Sequence, residues 1–471
     1  MKSLLSSNLN VINVGLEKFA DPLQKMDVPV AQCQWQPPAA GDVAVGNDLA
    51  ALTHLPEIEQ ANQIAFEQYM NATPVLESVE AAGEVIPAMK GRKLLLHSGP
   101  PIKWQDMCGP QKGALIGAAI FEGWVNDAAE FERCVANGEI EFDACNAHDA
   151  VGPMAGVTSP SMPVWVVRNT QNGQATFCNF NEGLGKVLRF GAYDDEVIQR
   201  LKWMKDVLAP TLKSILGHIA PVELKPIMAQ AVHMGDEVHN RNAAATSLLF
   251  RKLVPAALQH RVASEQTLAE VFAFIAGNDH FFLNLSMAAC KSMLNAAAGV
   301  ANSSMVTVMA RNGIKFGIQI SALPGRWFEA DANYIEGLFF PGFSQDDAAR
   351  DLGDSAITET AGLGGFAMAA APAIVQFVGG TSQDAVQNTL NMRKITLGAN
   401  SNFTLPMLNF TGTPAGIDIR QVVDTGVLPV INTGIAHKEA GVGQIGAGVT
   451  YAPLACFTQA LQALKQEIDR T

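Results

Sequence analysis

At 471 residues the chain is long enough for two to four domains of roughly 100–200 residues each, and 48% hydrophobic against 16% charged residues gives it a large core and excludes disorder. Four Tyr against 41 Gly and 17 Met suit an Ala/Gly-rich α/β or α+β enzyme better than an all-β binding module. A net charge of −13 without any Lys/Arg-rich run excludes a nucleic-acid binder, and means that an anionic substrate must meet a local cluster of Arg, Lys, His or backbone N–H groups.

The start, MKSLLSSNLNVINVG, has no long apolar run and no cleavage site, so the expectation is a cytoplasmic protein without a signal peptide. Residues 9–14 and 28–35 read as strands flanking a helix over 16–25, a βαβ opening that predicts a small parallel sheet. A helix follows over 52–71, then a strand over 93–97 running into His97-Ser98-Gly99-Pro100-Pro101. Ligands of open parallel sheets gather at strand C-terminal ends, which makes His97 a candidate site residue; a capped turn is the competing reading.

Another helix is predicted over 112–131, and a loop rich in Cys, His, Asp and Gly over 142–158. Within that loop Cys145, His148 and Asp149 could suggest a thiol with its base, but nothing in the spacing activates the thiolate. Residues 162–168 and 175–179 form a hairpin around Asn172-Gly173. Residues 194–300 are the most helical part, with helices near 201–216, 226–241, 246–258 and 267–276. A second hairpin, VTVMARNG and IKFGIQISAL, turns at Asn312-Gly313. Beyond it Gly-punctuated strands and helices alternate. The apolar stretch over 362–380 carries Gly, Ala and a central Pro, so it reads as a buried helix and not a membrane span. The division is an N-terminal α/β domain at 1–105, a helical domain at 194–300, and an α+β domain made of 106–193 and 301–471.

Candidate chemistry sits in five further segments. In HMGDEVHNRN, a helix would put His233, Asp236, Glu237 and Asn240 on one face and leave His239 off it, so Asp236 could orient His233 as a base. The competing reading is a polar helix with a Glu237–Arg241 surface pair. In DLGDSAITETAGLGGFAMAAA, Gly362, Gly364 and Gly365 open a helix whose free N–H groups would cradle an anion, helped by Ser355, Thr358 and Thr360. GVGQIGAG contains GxGxxG, but only a terminal helix follows it. A turn in which His437 and Lys438 face an anion fits better than a dinucleotide fold. Arg311 in MARNG and Arg326 in LPGRWF stand beside Gly turns, where a guanidinium can grip a carboxylate through two parallel bonds. The seven Cys form no CxxC pair, and no zinc or iron spacing occurs.

NVINVGLEKF, HSGPPIKWQDMCGPQKGA, HDAVGPMAGVTSPSM, QAVHMGDEVHNRN, MARNGIKFGI, LPGRWF, DLGDSAITETAGLGGFAMA and LPVINTGIAHKEAGVGQIGAG, in that order, resemble the YlbE/YahG-like family over nearly the whole chain. One class of that family is the AllG-type subunit of oxamate carbamoyltransferase. The resemblance implies a three-part α/β plus helical architecture. It also implies reversible carbamoyl transfer between carbamoyl phosphate and oxamate in allantoin and purine-nitrogen catabolism, carried out with an FdrA-like, acyl-CoA-synthetase-like subunit and a third subunit. It supplies no catalytic residues. Our own reading gives the phosphate to Ser355 and the 362–365 turn, the base to His233 with Asp236 or else to His437, and the substrate carboxylate to Arg311 or Arg326. A Mg²⁺ carried in on a substrate phosphate would leave no motif. Two rivals stand beside this: a non-catalytic partner completing an FdrA-like site, and a nucleotide- or CoA-dependent enzyme acting on another small acid. The sequence leaves homo-oligomerisation open.

Overall fold

The computed structural model describes residues 9–33 and 37–470; part of the 28–35 strand reading and the first eight residues of the N-terminal reading lie outside them. Strands Val11–Val14 and Val30–Cys33 pair in parallel, as the βαβ pattern predicts, and form a sheet of two strands. A second parallel pair joins Leu94–His97 to Glu141–Ala144. Both expected hairpins form: Pro163–Asn169 runs antiparallel to Ala175–Asn179, and Val306–Asn312 antiparallel to Lys315–Ile320. The first joins a five-stranded sheet with Pro74–Ala81, Val222–Glu223 and Ala150–Val151. The second joins a four-stranded sheet whose far edge is Leu352–Gly353, against Arg311 and Asn312. Gln444–Tyr451 is the central strand of a three-stranded antiparallel sheet, between Glu336–Phe339 and Val430–Ala436, so GVGQIGAG enters a strand and no dinucleotide fold. Helices and several small sheets thus alternate in an α/β and α+β arrangement.

The principal core draws side chains from all three predicted segments, from Ala65 through Met293 to Ala415. Its axis is the helix Leu283–Ala296, in which every residue over 283–294 is buried. This helix packs on both strands of the first hairpin and on the one-turn helix Ile357–Thr360, and so brings the 351–365 segment against the helical region. Three helix readings are corrected by chain-breaking residues. The helix read over 52–71 begins only at Pro56, as Pro56–Asn71, because Pro56 starts a new helix after a separate one at Val43–Leu52. That over 112–131 splits at Gly123 into Gly109–Phe121 and Ala128–Ala136. That over 226–241 stops at His233, because Gly235 takes φ +99°. The 362–380 stretch is buried but broken into Gly364–Ala370, Pro372–Ile374 and Val375–Val378. Among the described residues no helix is long and apolar enough to cross a membrane.

Candidate active site

Three loops are stitched together by one carboxylate. Asp354 accepts from Gly99 N (2.8 Å), Gly152 N (3.0 Å) and Asn146 Nδ2 (3.2 Å), tying the HSGPP, HDAVGPM and DLGDS segments at one point. Burial pushes its carboxyl up to about 7, against the pull of those donors. Beside it Arg311, fully buried, holds Asp351 through two bonds of 2.7 and 2.8 Å and Gly353 O at 2.7 Å. Its remaining N–H capacity reaches Ser355 Oγ (3.4 Å) and Thr433 Oγ1 (3.3 Å). A guanidinium so committed is neutralised, and it positions two hydroxyls instead of gripping a substrate carboxylate.

Those hydroxyls face a recess of about 20 Å³ whose walls also carry Arg189, His239, His280 and Gln444. Asn240, His280 and Gln444 are shared with an open cavity of about 640 Å³ that also includes Arg241, Asn242, Asn278 and Phe340. The recess is therefore the floor of a funnel open to solvent. A second groove of about 460 Å³, lined by Val79, Ala81, Pro160, Pro163 and Ala209 among others, is mostly apolar, and its Lys213 is paired with Glu80.

His239 reaches the recess because the chain leaves helical geometry after His233. Val238, fully buried and β-branched, sits at φ +67°, a conformation that costs energy and persists only where the surroundings enforce it. The Glu237 carboxylate accepts the backbone N–H groups of His239, Asn240 and Arg241, and burial pushes it up to about 7. The Glu237–Arg241 surface pair of the competing reading is thus replaced by a buried backbone clamp, with the Arg241 side chain turned to Gly235 O. His239 Nδ1 meets Glu359 at 2.7 and 3.0 Å. Glu359 also accepts from Thr358 Oγ1, Gly365 N and Asn432 N, which holds it as an acceptor and puts the proton on Nδ1. His239 Nε2 has no hydrogen-bond partner among the described residues.

Arg189 lies in the short helix Leu188–Phe190, pinned where Glu182 accepts Leu188 N and Arg189 N. Its Nε and one terminal nitrogen donate to Gly183 O, and no carboxylate lies within ion-pair distance among the described residues. Burial lowers its affinity for the proton to about 10, partly offset by Glu182, so at neutral pH it stays cationic. Burial, and then the Arg189 charge, pushes His280 down to about 4, which keeps that imidazole neutral. Asn240 Nδ2, Asn242 Oδ1 and both amide atoms of Asn432 are buried without a partner among the described residues; the first two belong to walls of the funnel.

The residues singled out from sequence divide sharply. Ser355 lines the recess and Arg311 stands behind it. Thr358 donates to Glu359, and Thr360 is spent on Ala356 O. The 362–365 turn is not a free anion cradle: Gly362 N, Gly364 N and Gly365 N already donate to Glu359 O, Glu237 O and Glu359 Oε1. Gly364, at φ +54°, is needed because a Cβ there would strike the Glu359 carboxylate. His233 is exposed at its helix end, bonded to Thr404 at 2.8 Å, and Asp236 faces away from it to cap the next helix at Ala245 N. His437 accepts from Glu439 N beside Phe343, Lys438 donates to Asp346 O, and Arg326 is exposed over Phe328. None of these five lines the recess. His97 is buried, bonded to Ser98 O at 2.8 Å and lowered by that burial, on the far side of the Asp354 web. Cys145 is a buried thiol pushed well up by burial, and His148 pairs with Asp143. Arg189, His239, His280, Thr433 and Gln444 were missed. Gly-flanked LRFG and NTG, and the His in HNRN and GNDH, were the available signals. Among the described residues no three metal-ligating side chains gather.

A family profile described as "Oxamate carbamoyltransferase subunit AllG" matches residues 140–355, a span that holds Arg189, His239, His280, Arg311 and Ser355. The chain is 48% identical over 463 residues to "Uncharacterized protein YahG" of Escherichia coli (strain K12), covering 98% of each. It is 49% identical over 415 residues to "Oxamate carbamoyltransferase subunit AllG" of the same strain, covering 87% of this chain and 98% of that one. A solved structure, described as a conserved protein of unknown function from Enterococcus faecalis V583, superposes with TM-score 0.85 at 47% identity over 87% of this chain and 98% of that one. Identity at this level over nearly the full length shows that the chain belongs to the family of AllG and YahG.

Proposed function

We propose that the chain is a subunit of a carbamoyl-transferring complex and that the funnel ending at Arg189 and His239 is where it handles its small acid substrate. The observation that carries this reading is the pairing of a buried guanidinium, with Glu182 nearby but no carboxylate within ion-pair distance among the described residues, with a carboxylate-held imidazole on one recess. Carbamoyl phosphate and oxamate are the substrates to which AllG membership points, with an FdrA-like subunit and a third subunit as partners in the cytoplasm.

The chemistry divides among the walls. Arg189 takes the acceptor carboxylate. An amide nitrogen is a poor nucleophile, and His239, oriented by Glu359, is placed to remove its proton as it attacks. The Thr433 hydroxyl, aligned by Arg311, donates to the carbamoyl oxygen as negative charge gathers there; one such donor is worth about 3–4 kcal/mol. Neutral His280 and the amides of Asn240 and Gln444 offer hydrogen bonds without adding charge. The recess holds only the reacting group, and the wider cavity holds the rest of both substrates.

Kinetics of the reconstituted complex test this. Arg189→Gln is expected to raise the KM for oxamate at least about tenfold, the loss of one charge-assisted bond. An unchanged KM for oxamate would remove the reading.

A further inference from the structure

We propose that Ser355 is a nucleophile that carries the carbamoyl group as an O-carbamoyl ester during transfer, with His239 as its base and Glu359 as the carboxylate that orients the imidazole. This rests on the carbamoyl-transfer reading for its physiological donor, but the serine itself is assigned by geometry.

Ser355 stands two residues before the single turn Ile357–Thr360, and Glu359 lies within it. His239 bonds the carboxylate and stands with Ser355 on the walls of the recess. The elements of an acid–base–nucleophile set therefore converge from two segments far apart in sequence. Ser355 Oγ accepts from Arg311 at 3.4 Å, and no described group accepts its proton. His239 presents the complementary atom, an Nε2 with a free lone pair. About 20 Å³ of space lies between the walls, room for one water-sized group. In the unliganded protein the serine–imidazole bond is open, and it closes when substrate fills the recess. The Arg311 N–H behind Oγ is a donor that the developing alkoxide can draw closer. Two non-glycine residues, Val238 before the base and Met154 in the recess wall, are held at φ +67° and +55°, strain of the kind kept where a site must be preorganised. Thr433 shares the Arg311 contact but is a hindered secondary alcohol, which leaves it as the oxygen-binding donor.

Two displacements balance. Ser355 Oγ attacks the carbamoyl carbon and gives its proton to His239 Nε2. The carbon–oxygen bond to phosphate breaks, and His239 hands the proton to the departing oxygen, releasing hydrogen phosphate. The acceptor amide nitrogen then attacks the ester, its proton passes to His239, and His239 returns it to Ser355 Oγ as the carbon–Oγ bond breaks.

The test uses the full chain and para-nitrophenyl carbamate, an activated carbamoyl donor that needs neither carbamoyl phosphate nor partner subunits. The expected result is one nitrophenol released per chain in a burst, with a single carbamoyl mass increment mapped to Ser355. Ser355→Ala abolishes the adduct, His239→Ala slows it at least about a hundredfold, and Thr433→Val also slows it about a hundredfold, the loss of the oxygen-binding donor, but leaves the adduct on Ser355. A parallel cyanate reaction identifies lysine labelling. Absence of a Ser355 adduct, or an adduct on Thr433 instead, overturns the proposal. Full turnover of the complex carrying Ser355→Ala also overturns it while leaving carbamoyl transfer standing. Ser355 labelling in a complex that never phosphorolyses oxalurate does the reverse.

Discussion

Two histidines of one motif behave oppositely. His233 is solvated on a helix end, while His239 is buried against Glu359 at 2.7 Å. His239→Ala should therefore cut turnover of the reconstituted complex by about 10²–10⁴, the range of a lost general base. His233→Ala should leave it near normal, and the inverse result would relocate the site. Arg189→Lys keeps the charge but loses the planar fork; it should raise the KM for the acid substrate while kcat changes little, which steady-state kinetics resolve. The motif itself was legible, since so dense a run of His, Asp, Glu, Asn and Arg stands out. Its geometry was not. Helical spacing set His233 over Asp236 and dismissed His239, whereas Gly235 ends the helix and the strained Val238 turns His239 inward. Arg311 illustrates the second blind spot. A buried guanidinium looks the same in sequence whether Asp351 neutralises it or not, and only the fold distinguishes it from Arg189.

Local pairing was the most legible scale of structure. Asn172-Gly173 and Asn312-Gly313 supply the positive φ that tight antiparallel turns require, and both hairpins form in the expected places. The parallel pairing of the two opening strands followed from their spacing in the same way, although the helix read between them over 16–25 is only a 3-10 turn, Glu17–Phe19, and a single α-turn, Asp21–Gln24. What sequence does not encode locally is the approach of one loop to another. Gly99, at φ +82°, lies so close to the strand Val306–Asn312 that a Cβ would come within 2.4 Å of the Arg311 carbonyl carbon and 2.5 Å of Asn312 N. Both are backbone atoms of a strand paired on two sides, so they cannot yield as a flexible side chain would. Gly99→Ala should cost about 2–4 kcal/mol from overpacking and left-handed strain together, read as a fall in the urea midpoint. It should also depress activity through the misplaced Arg311. A stability equal to wild type would show that the strand and the loop move independently.

At the scale of the molecule, the funnel is built by bringing acids into the interior, and this makes stability depend on pH. Glu237 rises from 4.5 to about 7 and Asp354 from 3.8 to about 7, each chiefly through burial. In the interval between the unfolded and folded values the native chain binds more protons, so the stability these groups confer is complete below about pH 4 and is lost as pH rises through 7. His97 and His280 act in the other direction. Both are lowered by burial, so their contribution is present above their unfolded value of 6.5 and is lost as pH falls below it. A bare pH profile therefore mixes opposing slopes, and a substitution is needed to isolate one. Glu237→Gln suits this because one carboxylate oxygen, Oε1, already receives the N–H groups of His239, Asn240 and Arg241, and an amide oxygen can replace it. The variant should match wild type near pH 4, where Glu237 is protonated in the native state and largely in the unfolded one. It should exceed wild type increasingly between pH 5 and 7, as the unfolded carboxyl ionises and the buried one does not, and level off above pH 7. Urea midpoints at several pH values read the difference directly. A constant offset across the whole range would mean that Glu237 does not titrate in the folded chain, and that the His239 loop is held by a permanently ionised clamp.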